Sequence, residues 1–173
     1  NNKSFNRNTE EGIKELEALI DKFQGENVEY LKQIHSNKVY TYRKGCNDFK
    51  DNEGDALITN EKKVIIGVFT ADCVPVILVD KENEAIAAIH SGWKGTFSSI
   101  VAETILRMKE EYNSKAENIV AYIGPHIRQC CYEVSEDLKE QFLKKFDIEK
   151  DKLFDGRNLS LEECINNDLI NSG

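Results

Sequence analysis

Two apolar runs, VPVILVD at 74–80 and AIAAIH at 85–90, stand four residues apart with Asn83 in the gap between them. Each is too short for a typical core helix and is bounded by polar turn residues, the signature of a buried strand. So short a connection predicts an antiparallel hairpin. Further strand-like runs surround the pair: VEYLKQIH, KVYTYRK, DALIT, VIIGVFT and, later, NIVAYIG. Ser36-Asn37 forms a tight connection between the first two of these runs.

The helical segments are equally periodic. In NTEEGIKELEALIDKF, Ile13, Leu16, Leu19, Ile20 and Phe23 recur at helical spacing behind a cap at Asn8 or Thr9. GTFSSIVAETILRMKEEY reads as one continuous helix with Phe97, Ile100, Val101, Thr104, Ile105, Met108 and Tyr112 on one stripe. VSEDLKEQFLKKF and LSLEECINNDLINSG predict two more, capped at Ser135 and Ser160. Consecutive strands followed by helices, without a repeated strand–helix–strand unit, indicate an α+β class.

Composition narrows the function. The chain has 173 residues and a net charge of −8, with no basic stripe, so nucleic acid is a poor partner. Its longest apolar run falls far short of the ~20 residues that cross a bilayer, and its first residues are polar, so neither a membrane partner nor a signal peptide is expected. Five cysteines, Cys46, Cys73, Cys130, Cys131 and Cys164, are odd in number and contain no CxxC pair. That pattern predicts reduced thiols and a cytoplasmic setting.

The chemistry-bearing residues sit at the ends of the apolar runs. The chain has only three histidines. His35 ends VEYLKQIH, His90 ends AIAAIH, and His126 lies in the turn GPHIRQ. Cys73 stands just before VPVILVD, 17 residues ahead of His90. Thiolate and imidazole are preferred zinc ligands, and three of them leave a fourth position for water or substrate. Two other readings use the same residues. Cys73 with His90 or His35 forms a nucleophile–base pair without metal, or Cys73 is a small buried hydrophobe.

The segments QIHSNKVY, GDALIT, TADCVPVILVD, AAIHSGWKGT and IGPHIRQCCYEVSEDL occur in this order. Together they resemble the YfiH/YlmD family, long labelled multicopper polyphenol oxidoreductases or laccase-domain proteins and now understood as purine nucleoside phosphorylases with added adenosine deaminase activity. The resemblance runs from about residue 4 to the end of the chain. It implies a single YfiH-like domain of mixed β-sheet layers covered by helices. It also implies one zinc, with copper a possible substitute, held by His35, Cys73 and His90. Cys73 and Arg7 are then the candidate catalytic residues, and Arg7, Trp93 and His126 the candidate substrate contacts. The implied substrates are phosphate and adenosine, inosine or S-methyl-5′-thioadenosine. Asp72 is a candidate general acid only by adjacency.

Ser91 and Lys94 depart from the family's usual His-Ala-Gly-Trp-Arg-Gly, and the family has a small residue where His126 stands. The usual Gly-rich N-terminal and Ser-Tyr-Arg-Arg C-terminal segments have no counterpart in these residues. Multicopper oxidation would need more histidines than three. A metal-free cysteine hydrolase and a non-catalytic partner domain complete the alternatives.

Overall fold

The computed structural model describes residues 5–45 and 49–173; Cys46 therefore lies outside the described residues. The element order is α1 (Glu10–Phe23), β1 (Asn27–Glu29), β2 (Val39–Thr41), β3 (Ala56–Thr59), β4 (Val64–Ile66), β5 (Val74–Asp80) and β6 (Ala85–Ser91), then α2 (Trp93–Phe97), α3 (Ile100–Tyr112), β7 (Ile119–Ile123), α4 (Glu136–Lys145), α5 (Lys150–Leu153), β8 (Phe154–Asp155), β9 (Asn158–Leu159) and α6 (Leu161–Asn171). Helices pack on mixed sheets, an α+β architecture.

The hairpin β5–β6 is the centre of a five-stranded sheet ordered β2-β3-β6-β5-β7. β2 and β3 are parallel, and the other neighbours are antiparallel. Asp80 closes the hairpin turn. Its carboxylate accepts from the backbone of Glu82 and Asn83 and from the Asn83 amide. Strand alternation puts Val74, Val76 and Leu78 of β5 on one face with Ala85, Ala87 and Ile89 of β6, all essentially without exposure. Ile100, Val101, Ile105 and Met108 of α3, Phe142 of α4 and Ile165 of α6 cover that face. Burying each large apolar side chain there contributes roughly 1.5–3 kcal/mol.

The opposite face is less covered. Leu57 packs with Leu31, Tyr42 and Phe49 in a small second cluster, whereas Ile77 and Tyr122 are 50% and 56% exposed. The sequence predicts a buried strand at NIVAYIG. β7 is instead an edge strand whose residues alternate between half-buried and exposed. Other expected strands are shorter than their runs: VIIGVFT supplies only Val64–Ile66, which pairs in parallel with β1.

The predicted continuous helix over 95–112 is broken in two. Ser99 adopts a left-handed conformation, φ +55°, between α2 and α3. Ser98 and Ser99 are weak helix formers that compete for backbone hydrogen bonds, so the break falls where propensity is lowest. Of the two candidates for the first cap, Asn8 and Thr9, it is Thr9 that caps α1, and the caps expected at Ser135 and Ser160 are present; each accepts from a backbone N–H in the first turn.

Asp168 of α6 is packed beside this break. It is 8% exposed and one carboxylate oxygen has no partner. Burial raises its pKa to about 6, against the lowering effects of Ser99 and Lys145. A raised carboxyl pKa means its protonated form favours folding, a contribution complete below pH ~4 and lost as pH rises to about 6. Asp168→Asn should therefore gain stability over the parent across pH 4–6, reaching up to about 3 kcal/mol at pH 7. Thermal melts of both proteins across that range check the slope; parallel stability profiles would contradict it.

Candidate metal centre

The site follows from strand register. In the β5–β6 hairpin Pro75 faces His90 and Val74 faces Ser91, so the next step outward sets Cys73 beside Gly92. On the other side of β6, Ala56 faces Ile89, and the next step sets Asp55 beside His90. The His90 N–H donates to the Asp55 carbonyl at 2.7 Å, extending the ladder by that residue. The 17-residue interval between Cys73 and His90 is thus the length of a hairpin folded about residues 81–84.

His35 reaches the same place from a bend, not from a strand end as the sequence suggested. Residues between β1 and β2 form an irregular segment, and His35 takes a left-handed φ of +61°. The Asp55 carboxylate imposes that conformation. One oxygen accepts from the His35 N–H at 3.0 Å; the other accepts from the Ser36 N–H at 2.6 Å and hydroxyl at 2.7 Å. The first oxygen also accepts from His90 Nδ1 at 2.9 Å.

One ligand atom each from His35, Cys73 and His90 lies within 4.8 Å of the other two. The imidazoles meet edge to face at 4.8 Å between centroids, and Cys73 Sγ is 3.8 Å from His35 Nε2. His90 is buried, Cys73 half-buried and His35 exposed, so the cluster opens to solvent on one side. The Asp55 bond to Nδ1 fixes the His90 tautomer and leaves Nε2 as the free donor, the usual arrangement behind a metal-ligating histidine.

The electrostatics agree. Asp55 is fully buried, which raises its pKa, but the bonds from His90, Ser36 and His35 prevail and hold it at about 2. Burial, then the charges of Asp72 and Asp55, push the Cys73 thiol up. A cation between the three ligands would reverse that balance and favour thiolate. The donor set, its open side and the carboxylate behind His90 therefore fit a metal ion.

Gly92 makes the cluster sterically possible. A Cβ there would stand 2.7 Å from His35 Cδ2 and 3.0 Å from Cys73 Sγ. Sequence reasoning registered this glycine only as part of a motif, and it missed Asp55 and Tyr132. Burial, followed by the Cys73 charge, raises the Tyr132 hydroxyl pKa, so this half-buried ring shares the site's electrostatic field. The signal for Asp55 was its position in GDALIT, one residue ahead of a strand that pairs with AIAAIH.

The other sequence candidates lie around the cluster. Arg7 lines a cavity of about 880 Å³ with Leu16, Tyr30, Ile66, Phe69 and Thr70. Its Nη1 donates to the Leu31 carbonyl at 2.9 Å. Close approach of Asn6 to α1 holds Arg7 there: a Cβ at Gly12 would fall 2.0 Å from the Asn6 carbonyl oxygen. The cavity wall is tied to the metal ligands through Gln33, whose amide exchanges two 2.7 Å hydrogen bonds with the Phe69 backbone. Trp93 is half-buried against the core, with Lys94 Nζ 5.6 Å from its ring centroid. His126 donates from Nδ1 to the Gly124 carbonyl, lies 3.7 Å from Glu162, and lines a separate cavity of about 140 Å³ with Arg128. Asp72 is exposed, and its carbonyl accepts from the Ile127 N–H.

An α+β domain presenting two histidines and a cysteine behind a buried carboxylate defines the class. Residues 4–173 match the family described as multi-copper polyphenol oxidoreductase laccase, and the chain belongs to that family. It is 46% identical over 165 residues to a purine nucleoside phosphorylase of Clostridium acetobutylicum, covering 95% of this chain and 69% of that protein. A purine nucleoside phosphorylase of Aquifex aeolicus is 42% identical over 134 residues, covering 77% of this chain and 62% of that one. The fold matches YlmD of Geobacillus stearothermophilus with a TM-score of 0.84 at 22% identity, over 94% of this chain and 66% of that chain. It matches the hypothetical protein YfiH of Bacillus licheniformis with a TM-score of 0.82 at 24% identity, over the same shares.

Gly92→Ala should lower metal affinity roughly 10–100-fold, the scale of changes next to a ligand. His35 is exposed and can swing away from the new methyl, so the far-ultraviolet circular dichroism should stay unchanged. Competition with a chromophoric chelator measures the loss. Metal affinity equal to that of the parent would contradict the steric argument.

Proposed function

We propose that the chain carries the zinc centre of a purine nucleoside phosphorylase that cleaves adenosine, inosine or S-methyl-5′-thioadenosine with phosphate to the free base and the ribose 1-phosphate (or its methylthio counterpart), and that also deaminates adenosine. The convergence of His35, Cys73 and His90 on one another, with the Asp55 carboxylate behind His90, carries this reading, and the names of the relatives supply its substrate class.

His35 Nε2, Cys73 Sγ and His90 Nε2 would hold the ion, the three protein ligands typical of catalytic zinc. The bound ion supplies Lewis acidity, which serves both the phosphorolytic and the deaminase reaction. Asp55 fixes the tautomer of His90 and the backbone of His35. The cavity of about 880 Å³ has the size of a small-molecule site and an aromatic wall of Tyr30 and Phe69 for a purine. Arg7 at its edge is the phosphate candidate, since a guanidinium fork matches two phosphate oxygens. Cleavage develops positive charge at the anomeric carbon, and phosphate held on one face of the sugar meets that charge as base departs from the other.

Two rival readings fit less well. A Cys73–His90 dyad lacks an activated thiol, because burial and the charges of Asp72 and Asp55 raise the Cys73 pKa. Copper could occupy the same three ligands, since copper binds such donors more tightly than zinc. Polyphenol oxidation by several coppers needs further histidines, and beyond the cluster these 173 residues hold one, His126.

The decisive experiment incubates purified, zinc-loaded protein with adenosine and phosphate and separates the products. Adenine and ribose 1-phosphate are expected, with inosine from the deaminase reaction. Cys73→Ala and His90→Ala should lose both bound metal and phosphorolysis, and Asp55→Asn should lose roughly 10–100-fold in affinity or activity. Full activity in metal-free protein would reject the reading.

A further inference from the structure

Outside the metal centre, two more thiols are held together. Cys130 and Cys131 are adjacent in the short turn Gln129–Cys131, both are exposed, and their sulfurs are 3.4 Å apart. Adjacent side chains in an extended strand point to opposite faces, so the turn is what brings these two to one side. The turn is rigidly seated. The Cys131 N–H donates to the Arg128 carbonyl at 2.9 Å, the Gln129 amide to the Lys152 carbonyl at 3.2 Å, and the Leu159 N–H to the Tyr132 carbonyl at 2.9 Å. None of the bonds named for the metal centre involves either sulfur.

The spacing selects the chemistry. A disulfide needs sulfurs about 2.05 Å apart and Cα atoms usually 4.4–6.8 Å apart, whereas consecutive Cα atoms are fixed at about 3.8 Å. Direct S–S bonding in this turn would therefore be strained and readily reduced. A third atom bonded to both sulfurs spans the 3.4 Å gap without that compression. A soft, thiophilic centre prefers two thiolates to one, because the second bond forms within the same molecule at high effective concentration.

We propose that Cys130 and Cys131 form a chelating dithiol site for trivalent arsenicals. The balanced step with an arsenoxide is R–As=O plus two thiols giving R–As(S–Cys)₂ and one water. Two S–H bonds break, two As–S bonds form, and the oxygen leaves with both protons. Arsenic stays trivalent, so no oxidant or reductant takes part. The site makes no use of the zinc ligands and stands whether or not the phosphorolysis reading does.

Phenylarsine oxide is the probe, with zinc-loaded protein and intact-mass spectrometry as the readout. One arsenical per chain is expected, retained against excess monothiol such as glutathione and stripped by 2,3-dimercaptopropanol. Cys130→Ser and Cys131→Ser should each lower retention at least roughly 100-fold, the scale of the lost intramolecular bond. Cys73→Ala and Cys46→Ser should retain the arsenical as the parent does. Retention in both serine variants, displacement of the arsenical by glutathione, or loss in Cys73→Ala or Cys46→Ser would each overturn the assignment. Unchanged circular dichroism in the serine variants separates loss of the thiol from loss of the turn.

Discussion

The carboxylate of Asp55 organises the region that gathers the three candidate metal ligands. It has no contact with solvent, yet it stays ionised because donors from three consecutive residues, Ile34, His35 and Ser36, and from His90 converge on its two oxygens. Unpaired, a buried charge of this kind would cost several kcal/mol. Saturated with donors, it joins an irregular loop to the central strand β6. The left-handed His35 backbone is one consequence, since three N–H groups in a row can point at one acceptor only if the chain curls around it.

The hairpin supplies the other half of the geometry. β5 and β6 are held by a full ladder and by the apolar face under α3, so the positions of Cys73 and His90 are set by the two central paired strands of the sheet. Gly92 keeps the space beside Cys73 and His35 clear. Two of the three ligands, Cys73 and His90, therefore have little freedom to adjust, which suits a site where distances near 2 Å decide occupancy.

Much of this was legible in the sequence, for identifiable reasons. The hairpin showed itself because VPVILVD and AIAAIH are short, apolar and separated by a four-residue polar gap. The helix caps showed because Thr9, Ser135 and Ser160 each precede an amphipathic run. His35, Cys73 and His90 stood out as rare residue types in segments that resemble a family. The rest was hidden by its nature. The place of Asp55 one residue ahead of β3 is its one local mark, and its role as a hub stays hidden because its donors come from sequence distances of 19–35 residues. The break at Ser99 interrupts an apolar stripe that continues on both sides of it, and that stripe masked the weak helix propensity of Ser98 and Ser99. The exposed face of β7 is invisible to periodicity, because IVAYI is apolar on both sides.

The charge balance around Cys73 also constrains what the cluster can be. A nucleophilic cysteine needs surroundings that favour thiolate, such as a neighbouring cation or a helix N-terminus. Here burial acts against the thiolate, and the nearby carboxylates Asp72 and Asp55 add negative charge. His90, the cluster's imidazole with a carboxylate behind it, presents its remaining nitrogen toward the same small volume as the sulfur. Two imidazoles and a sulfur gathered beside a buried negative charge offer three electron-pair donors to one small volume. An added positive charge there would engage all of them at once and lower the thiol pKa. The same protein groups that make Cys73 a poor nucleophile make it a good ligand.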